Sequence, residues 1–412
     1  MNKVWHFLMY VLLIQSVLVS CKTKSSEVIP AHVADSFRVS LSDGYGAANY
    51  KAGDTVHVWS RVSAVNETFD YWSGDSSILN GKNEWHSWFI MPSKNINLGA
   101  NFKTFTATVQ YEKIKGKTNL KNVYYVFPQN HKGIVYLFHG SNGSANYWTK
   151  NCENIALIKD LAAAGFAVIV TEAEEVTLNF DTNGDGSLRW NSSTLDSVSN
   201  IDFANLKAIT DTFCTRGYTN RSVSRYCIGQ SNGGSCSIAF GFYFKLKASI
   251  AYCASGGATT NVLTTTNTPL LFNLARWDNN SVMGQSGNIN AITNAQSLFN
   301  RGVCSYSNLN LSSPIYAMRF ARNSLISATL STQIFNELKN NNLLTQTNYL
   351  KGFASAVWSA VAVSSQKFPV LSSLTTDQAA IVDEQLSCTS SDHQFFSDYN
   401  KAAIKFLSNP CQ

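Results

Sequence analysis

The segment Gly229-Gln230-Ser231-Asn232-Gly233 has the residue types of a turn that presents a nucleophilic serine. Such a serine must project from a tight connection between a strand and a helix, and glycines on both sides relieve the crowding there. The apolar run Val223–Ile228 before the motif predicts a strand, and the small residues from Gly234 onward predict a helix. We therefore predict that Ser231 attacks a carbonyl carbon and forms a covalent acyl intermediate.

A strand, a GxSxG turn and a helix in this order resemble the nucleophile turn of the α/β-hydrolase fold. In that fold one N–H of the oxyanion hole belongs to the residue after the serine, which is Asn232 here. The other lies in the loop after an earlier strand, and a glycine-rich segment beginning at His139 follows the apolar run Gly133–Phe138. The resemblance implies an oxyanion hole formed by Asn232 and Ser141, with His139 or Gly140 as alternatives to Ser141.

The general base is expected from the chain order of the triad in that fold, which is serine, acid, histidine. The chain has seven histidines, and His393 is the only one that follows Ser231. It lies in a polar loop just before the last helical segment, where the fold needs the base. The resemblance therefore implies that His393 takes the proton of Ser231.

The acid of the triad has more than one candidate. A proline, an apolar strand and a short turn lead to Asp278, an arrangement that resembles the way many α/β-hydrolases supply their acid. A similar segment, Pro314–Asn323, contains the strand candidate Ile315–Met318 but ends in an asparagine instead of an aspartate. If the sheet used that second strand, Asp383 or Glu384 would have to act instead. We favour Asp278.

The elements that must position these residues alternate between strands and helices from about residue 105 to the C-terminus. Buried runs such as Gly133–Phe138 and Phe166–Val170 are apolar on both faces, as the strands of a parallel sheet are. The predicted fold class is therefore α/β, a mostly parallel α/β-hydrolase sheet with helices on both faces, formed by residues 105–412. The stretch from about 280 to 375 fits no pattern, so whether it holds a lid or a substrate insert stays open.

Two segments carry a narrower resemblance. Phe138–Ala145 and Ile228–Gly234 resemble the corresponding motifs of secreted esterases related to polyhydroxybutyrate depolymerases and feruloyl esterases. The resemblance covers residues from about 115 to 410. It implies cleavage of a polyester or of an acyl ester linked to a plant polysaccharide, without a cofactor and without a metal in the site.

Residues 35–104 differ from the rest because short alternating segments are separated by Gly, Asn and Asp turns, which predicts a small all-β domain before the hydrolase domain. Four segments follow one another here, namely Asn49–Val56, Phe69–Asp75, Phe89–Pro92 and Leu98–Phe102. Their order resembles a single internalin B-type repeat of bacterial surface proteins. That family usually serves as a spacer or an adhesion module, which implies a glycan or surface partner. The residues Trp59, Trp72, Trp85 and Trp88 could stack on a carbohydrate, but we favour a core role.

The N-terminus predicts export. A basic residue and the short apolar run Val4–Val19 are typical of a signal peptide rather than of a membrane-spanning helix. The run ends in Leu18–Cys21, which resembles a bacterial lipobox. We predict a signal peptide at 1–21, lipidation of Cys21 and a polar linker at 22–34. The protein would then be tethered to a membrane surface, on the cell surface or in the periplasm, or secreted if Cys21 is incidental.

Composition excludes some other functions. The net charge of +6 is not concentrated in a basic stripe, so we predict no nucleic-acid partner. Eight cysteines remain after Cys21, an even number that makes disulfides plausible in an oxidising compartment, and none has the spacing of a zinc site. The loop Asp181–Ser187 resembles half of a calcium-binding loop, but Ser192 stands where a glutamate belongs, so we favour a surface loop.

Together these features predict an exported serine esterase with a Ser231–His393–Asp278 triad. Two other functions stay open. A serine peptidase would use the same triad, together with a cleft that recognises a free peptide terminus. A non-catalytic adhesin would bind glycan through the β-rich module and show no esterase activity.

Overall fold

The computed structural model describes residues 36–256 and 260–411. The predicted signal peptide, the linker and Cys21 lie outside these residues. Among the helices that are described, none is both long enough and apolar enough to cross a membrane.

The N-terminal module consists of two small sheets packed face to face. Its strands are β1 (Ser36–Ser42), β2 (Gly44–Tyr45), β3 (Ala48–Lys51), β4 (Thr55–Ser60), β5 (Glu67–Gly74), β6 (His86–Ile90) and β7 (Ile96–Thr104). One sheet has the order β3-β1-β7-β5 and the other β2-β4-β6. Trp59, Trp72 and Trp85 are buried in the core between them, so these three rings are not available as a carbohydrate platform.

The second part is built on one eight-stranded sheet. Its strands are β8 (Gln110–Lys115), β9 (Leu120–Val126), β10 (Gly133–Phe138), β11 (Phe166–Val170), β12 (Arg225–Gln230), β13 (Ala248–Tyr252), β14 (Leu270–Ala275) and β15 (Ser305–Asn310). Their order is β8-β9-β11-β10-β12-β13-β14-β15. The pairs β8–β9 and β9–β11 are antiparallel, and all the others are parallel. The predicted mostly parallel sheet is therefore present.

Twelve α-helices are described, and several of them cover the two faces of this sheet. They are α1 (Tyr147–Lys150), α2 (Cys152–Ala163), α3 (Glu174–Leu178), α4 (Ile201–Thr215), α5 (Asn232–Tyr243), α6 (Thr260–Thr265), α7 (Gly284–Asn300), α8 (Ala328–Asn340), α9 (Ala354–Val363), α10 (Pro369–Ser372), α11 (Thr376–Ser390) and α12 (Asn400–Ser408). One core cluster joins the sheet to α2 and α12, and another joins it to α4 and α5. With this strand order and helices on both faces, the chain has the α/β-hydrolase fold.

The stretch between β15 and α11 corrects one prediction. Ile315–Met318 does not form a strand, and the last strand of the sheet is β15 instead. Tyr316 from this stretch packs against the module core, stacked 4.5 Å from the ring of Trp59. The helices α8, α9 and α10 form a separate core with α11. Residues 311–375, called the insert below, therefore contact both the module, through Tyr316, and helix α2, through Arg322 and Glu153.

The last residues of the described chain are covalently attached to the sheet region. A disulfide joins Cys304, just before β15, to Cys411 near the C-terminus. The six other cysteines within the described residues are free, so the even count of cysteines did not predict a fully paired set. The predicted last helix, Phe395–Leu407, begins only at Asn400, because the residues before it form a buried loop.

Candidate active site

Ser231 stands at a strained turn between β12 and α5. Its backbone has φ 57° and ψ −123°, a conformation that few non-glycine residues adopt. A Cβ on Gly229 would lie 1.9 Å from the carbonyl oxygen of Gly233, and a Cβ on Gly233 would lie 2.3 Å from that of Phe138. Both glycines of the motif are therefore required by space, and they allow the serine side chain to stand clear of the backbone.

The structure brings the three predicted triad residues together. His393 Nε2 lies 2.9 Å from Ser231 Oγ, and His393 Nδ1 lies 2.7 Å from Asp278 Oδ2. An ionised carboxylate only accepts hydrogen bonds, so Nδ1 carries the ring proton and Nε2 is left to accept from the serine hydroxyl. The Asp278 side chain is fully buried, whereas the His393 side chain is 14% exposed.

Backbone contacts hold the loop of the acid against the loop of the histidine. The N–H of Arg276 donates to Ser391 Oγ at 2.7 Å, and the N–H of Trp277 donates to the Ser391 carbonyl at 2.9 Å. The N–H of Asn279 donates to the Asp392 carboxylate at 3.1 Å. Since these bonds join residues 115 and 113 positions apart, they fix the distance between Asp278 and His393 independently of the triad itself.

The two residues expected to form the oxyanion hole lie beside Ser231. Asn232 is the first residue of α5, so its N–H has no carbonyl one turn earlier to bond to. The loop that contains Ser141 approaches closely as well, because a Cβ on Gly140 would lie 3.2 Å from Ser231 Cβ and 2.5 Å from Gln230 Oε1. Ser141 and Asn232 both line the cleft above the serine.

His139 holds this loop in place from below. Its Nδ1 donates to the Gly140 carbonyl at 2.7 Å, and its Nε2 accepts from the N–H of Ala173 at 3.1 Å. Burial lowers the pKa of His139 to about 4, so the ring is neutral and keeps this pair of bonds. The indole N–H of Trp190 donates to the His139 carbonyl at 3.0 Å. His139 therefore does not act as a base towards Ser231.

The segment 181–191, whose first part the sequence marked only as a calcium-like surface loop, forms one wall of the site. The Asn232 side chain accepts from the N–H of Trp190 at 2.8 Å, and the Asn142 side chain accepts from the N–H of Leu188 at 2.8 Å. The side chain of Asn232 thus fastens this wall to the nucleophile turn. The only hint in the sequence was the pair Arg189-Trp190 after the turn-rich loop.

The calcium-like loop belongs to the same wall. The Asp181 carboxylate accepts from the N–H groups of Asn183, Gly184 and Gly186 at 2.7–3.2 Å. Asp185 forms an ion pair with Arg189 at 3.2 Å. These internal bonds account for the turn without an ion.

The other acid candidates lie elsewhere. Asp383 accepts a hydrogen bond from the indole of Trp358 at 2.8 Å. Glu384 is buried, and burial raises the pKa of its carboxyl to about 8. Asn323 donates to the carbonyl of Lys150 at 3.2 Å. Of the candidates, Asp278 is the one that reaches His393.

Above Ser231 lies a cleft of about 960 Å³. Most side chains that line it carry an amide, a hydroxyl or a charge, among them Asn142, Asn183, Arg189, Ser193, Ser281 and Asn290. Among the described residues that line it, none comes from the insert at 311–375. A ligand in this cleft would meet many hydrogen-bonding groups together with apolar surface, part of which comes from Val282 and Met283.

Comparisons with known proteins find distant structural similarity alone. No protein-family model matches it, and no curated protein matches its sequence. Among solved structures it is similar to a dienelactone hydrolase from Anabaena variabilis ATCC 29413, with 17% identity, a TM-score of 0.36 and coverage of 50% of this chain and 85% of that one. A ferulic acid esterase has 13% identity, a TM-score of 0.38 and coverage of 50% and 90%. An esterase from Pyrococcus furiosus has 13% identity, a TM-score of 0.34 and coverage of 50% and 85%. The strand order and the helices on both faces of the sheet make the chain an α/β-hydrolase by fold.

Proposed function

We propose that the protein is a serine hydrolase that cleaves carboxylic esters through an acyl-enzyme. The observation that carries the proposal is the continuous hydrogen-bond chain from Ser231 Oγ through His393 to the buried Asp278. That chain ends on a strained serine at the base of an open cleft. A hydroxyl, an imidazole and a carboxylate in this geometry form the working parts of nucleophilic acyl transfer.

In the first step His393 Nε2 takes the proton of Ser231 as Oγ attacks the ester carbonyl. The negative charge that develops on the carbonyl oxygen is held by backbone N–H groups, for which Asn232 and Ser141 are the proposed donors. Asp278 keeps the ring proton on Nδ1 and stabilises the imidazolium that forms. The imidazolium then gives its Nε2 proton to the departing alcohol, and the acyl group stays on Ser231.

In the second step water replaces the alcohol. His393 Nε2 takes a proton from the water as it attacks the acyl carbon, and the same N–H groups hold the second oxyanion. When the tetrahedral intermediate collapses, the proton returns to Ser231 Oγ and the carboxylic acid leaves. No group other than the three side chains and the backbone donors is needed.

The cleft supports one of the two predicted substrate classes. Its amides, hydroxyls and charges match an alcohol or acid that carries several hydroxyl groups better than they match an aliphatic polyester. We therefore propose an acyl ester on a polysaccharide as the substrate class. Acetylated or feruloylated xylo-oligosaccharides should be hydrolysed with a higher kcat/KM than 3-hydroxybutyrate oligomers. The reverse preference would contradict the polysaccharide assignment and leave the esterase assignment intact.

Hydrolysis of p-nitrophenyl acetate and p-nitrophenyl butyrate tests the reaction class. The wild-type chain should release p-nitrophenolate, and Ser231→Ala should lower kcat/KM by at least about 10⁴-fold. Ser222→Ala, at an exposed serine in the turn before β12, is the matched control and should keep the wild-type rate. Equal rates in wild type and Ser231→Ala, or turnover of peptides in place of esters, would reject the proposal.

We also propose that the protein is exported and lipid-anchored through Cys21. The support is the apolar run Val4–Val19 followed by the lipobox-like Leu18–Cys21. In cells that produce the full chain, the wild type should partition into the detergent phase and Cys21→Ser into the aqueous phase. Equal partition of the two proteins would contradict the anchor.

A further inference from the structure

A cysteine lies behind the proposed triad. Cys253 follows β13, and its Sγ, a carboxylate oxygen of Asp278 and a ring nitrogen of His393 all lie within 4.8 Å of one another. In residues 36–256 and 260–411, this is the single group of three or more His, Cys, Asp or Glu side chains whose ligand atoms converge in this way.

The thiol has no part in the proposed reaction. It donates to the carbonyl of Gln394 at 3.5 Å, and its residue is buried. Burial, and Asp278 beside it, raise the pKa of the Cys253 thiol, so the group is protonated in the metal-free protein. It therefore adds a third potential ligand to a pair that already faces each other.

Sulfur, imidazole nitrogen and carboxylate oxygen are the ligand types of zinc. A zinc ion binds them at about 2.3 Å for sulfur and about 2.0–2.2 Å for nitrogen and oxygen, so the three ligands lie closer together than 4.8 Å around the ion. The His393 and Asp278 atoms, now 2.7 Å apart, would separate slightly to admit the ion between them. The ion can enter from the cleft, because the His393 side chain is the exposed member of the group.

We propose that a thiophilic divalent cation, with zinc as the type ion, binds to Cys253 Sγ, the Asp278 carboxylate and His393 Nδ1, and that it switches the hydrolase off. The inhibitory part rests on the proposed function of Ser231 and His393. The binding part rests only on the positions of the three ligands.

The loss of activity follows from the proton balance of the imidazole. When the ion occupies Nδ1, the proton of the neutral ring moves to Nε2, and the thiol proton is released to solvent. Nε2 then carries a hydrogen and cannot accept the proton of Ser231. One divalent cation, one thiolate and one carboxylate sum to zero charge, which suits a buried position.

The site can be tested by titration of the wild-type chain with Co²⁺ alone, since Co²⁺ accepts the same ligands and a cobalt–thiolate bond absorbs in the near ultraviolet. The band should appear in wild type and in Cys214→Ala, and it should be absent in Cys253→Ala and in the closer isostere Cys253→Ser. Cys214 is the matched control because it is a free cysteine that is less buried than Cys253. A band that survives in both Cys253 variants would overturn the proposed site.

The inhibition is tested with ZnCl₂ and p-nitrophenyl acetate, with each protein compared to its own metal-free rate. Zinc should inhibit wild type and Cys214→Ala alike, and EDTA should restore the rate. In Cys253→Ala the inhibitory concentration should rise by about 100-fold. Equal inhibition of wild type and Cys253→Ala, or a cobalt band without zinc inhibition, would reject the switch. If the wild type shows no esterase activity, the proposed function fails, and the cobalt band still decides whether the metal site exists.

Discussion

Two regions of this molecule contain an aspartate, histidine and hydroxyl in hydrogen-bonded sequence. In the cleft, Asp278, His393 and Ser231 are joined at 2.7 Å and 2.9 Å. The serine stands at a strained turn at the head of a helix, with a loop of backbone N–H groups beside it. This arrangement leaves the hydroxyl open to a ligand.

The second series of hydrogen bonds, called the docking chain below, runs from Asp398 to Tyr349 and joins the β-rich module to the rest of the protein. Asp398 accepts from His86 at 2.6 Å, His86 contacts His57 at 3.0 Å, and His57 contacts the hydroxyl of Tyr349 at 3.0 Å. The two imidazoles are stacked on the Trp59 ring between the module and the insert. An aspartate–histidine pair is therefore not diagnostic of catalysis, because here the same contacts serve docking.

Other polar contacts support the docking role. Thr68 in β5 donates to Asp160 in α2 at 2.6 Å. The Glu84 carboxylate accepts from the N–H groups of Lys401 and Ala402 at the start of α12 at 3.2 Å and 2.9 Å. The comparison teaches that a strained, cleft-facing hydroxyl distinguishes the proposed active site from a structural network with the same residue types.

The largest effect should separate the two aspartates. Asp278→Asn should lower kcat/KM by about 10³- to 10⁴-fold, because the amide no longer holds the ring proton on Nδ1 of His393. Asp398→Asn, the matched change in the docking chain, should lower it by less than about 10-fold. The test is to measure kcat/KM for p-nitrophenyl ester hydrolysis by both variants. Comparable losses of kcat/KM would show that the two aspartates do not differ in their role in the reaction.

The second effect concerns the loop beside Ser231. Gly140→Ala would place a Cβ 2.5 Å from Gln230 Oε1 and 3.2 Å from Ser231 Cβ, so the added methyl group crowds both the Gln230 side chain and the nucleophile turn. We expect kcat to fall by about 100-fold through misplaced donors. Gly81→Ala in the module meets only ordinary contacts with the Glu84 side chain, at 3.4 Å and beyond, and should keep the wild-type kcat. An unchanged kcat in Gly140→Ala would remove this loop from the site.

The docking chain should make the fold sensitive to acid. Burial and the neighbouring His86 lower the pKa of His57 to about 3, whereas the residue titrates near its ordinary value of 6.5 when the chain is unfolded. The unfolded state then binds the extra proton, so stability present above pH 6.5 is lost as the pH falls towards 3, by about 1.4 kcal/mol per unit.

Urea unfolding at pH 7.5, 6.0 and 5.0 measures this slope. His57→Gln cannot take up the proton and should show a shallower dependence than wild type. Identical slopes for the two proteins would show that His57 contributes nothing to acid sensitivity.

The smallest effect on the esterase rate concerns Glu384, the rejected acid candidate. Burial raises the pKa of its carboxyl to about 8, so the unfolded chain loses this proton more readily and stability falls as the pH rises from about 4.5 to 8. Glu384→Gln should therefore raise the free energy of unfolding at pH 8 by up to roughly 4 kcal/mol and keep the esterase rate.

Glu337→Gln provides the contrast, because the Glu337 carboxylate accepts from the N–H groups of Val370 and Leu371 at 2.8 Å. That change should destabilise the fold. A Glu384→Gln variant that is no more stable than wild type at pH 8 would show that burial of Glu384 carries no cost.

The sequence predicted the triad residues more completely than it predicted the residues around them. The motif around Ser231, the position of His393 and the turn that leads to Asp278 are local patterns, and the structure places the three side chains in contact. The sequence marked part of the segment 181–191 as a surface loop but did not show how it is held, because that depends on Asn232 and Asn142, whose side chains accept hydrogen bonds from it.

The fold class was predicted correctly, but apolar content misled the placement of one strand. The edge strand β15 reads Ser-Tyr-Ser-Asn-Leu-Asn, which has few of the residues that mark a buried strand. The apolar run Ile315–Met318 is buried for another reason, since Tyr316 packs into the module core. Contacts such as that between His86 and Asp398, which lie 312 residues apart, leave no local pattern in the sequence.

The most direct test of the account is to trap the acyl-enzyme. Wild type is mixed with p-nitrophenyl butyrate, quenched in acid, and digested for peptide mass analysis. We expect one butyryl group, on the peptide that contains Ser231, and none on that peptide in His393→Ala. A butyryl group on another residue, such as Tyr349 at the end of the docking chain, would contradict the proposed role of Ser231, as would steady turnover with Ser231 unmodified.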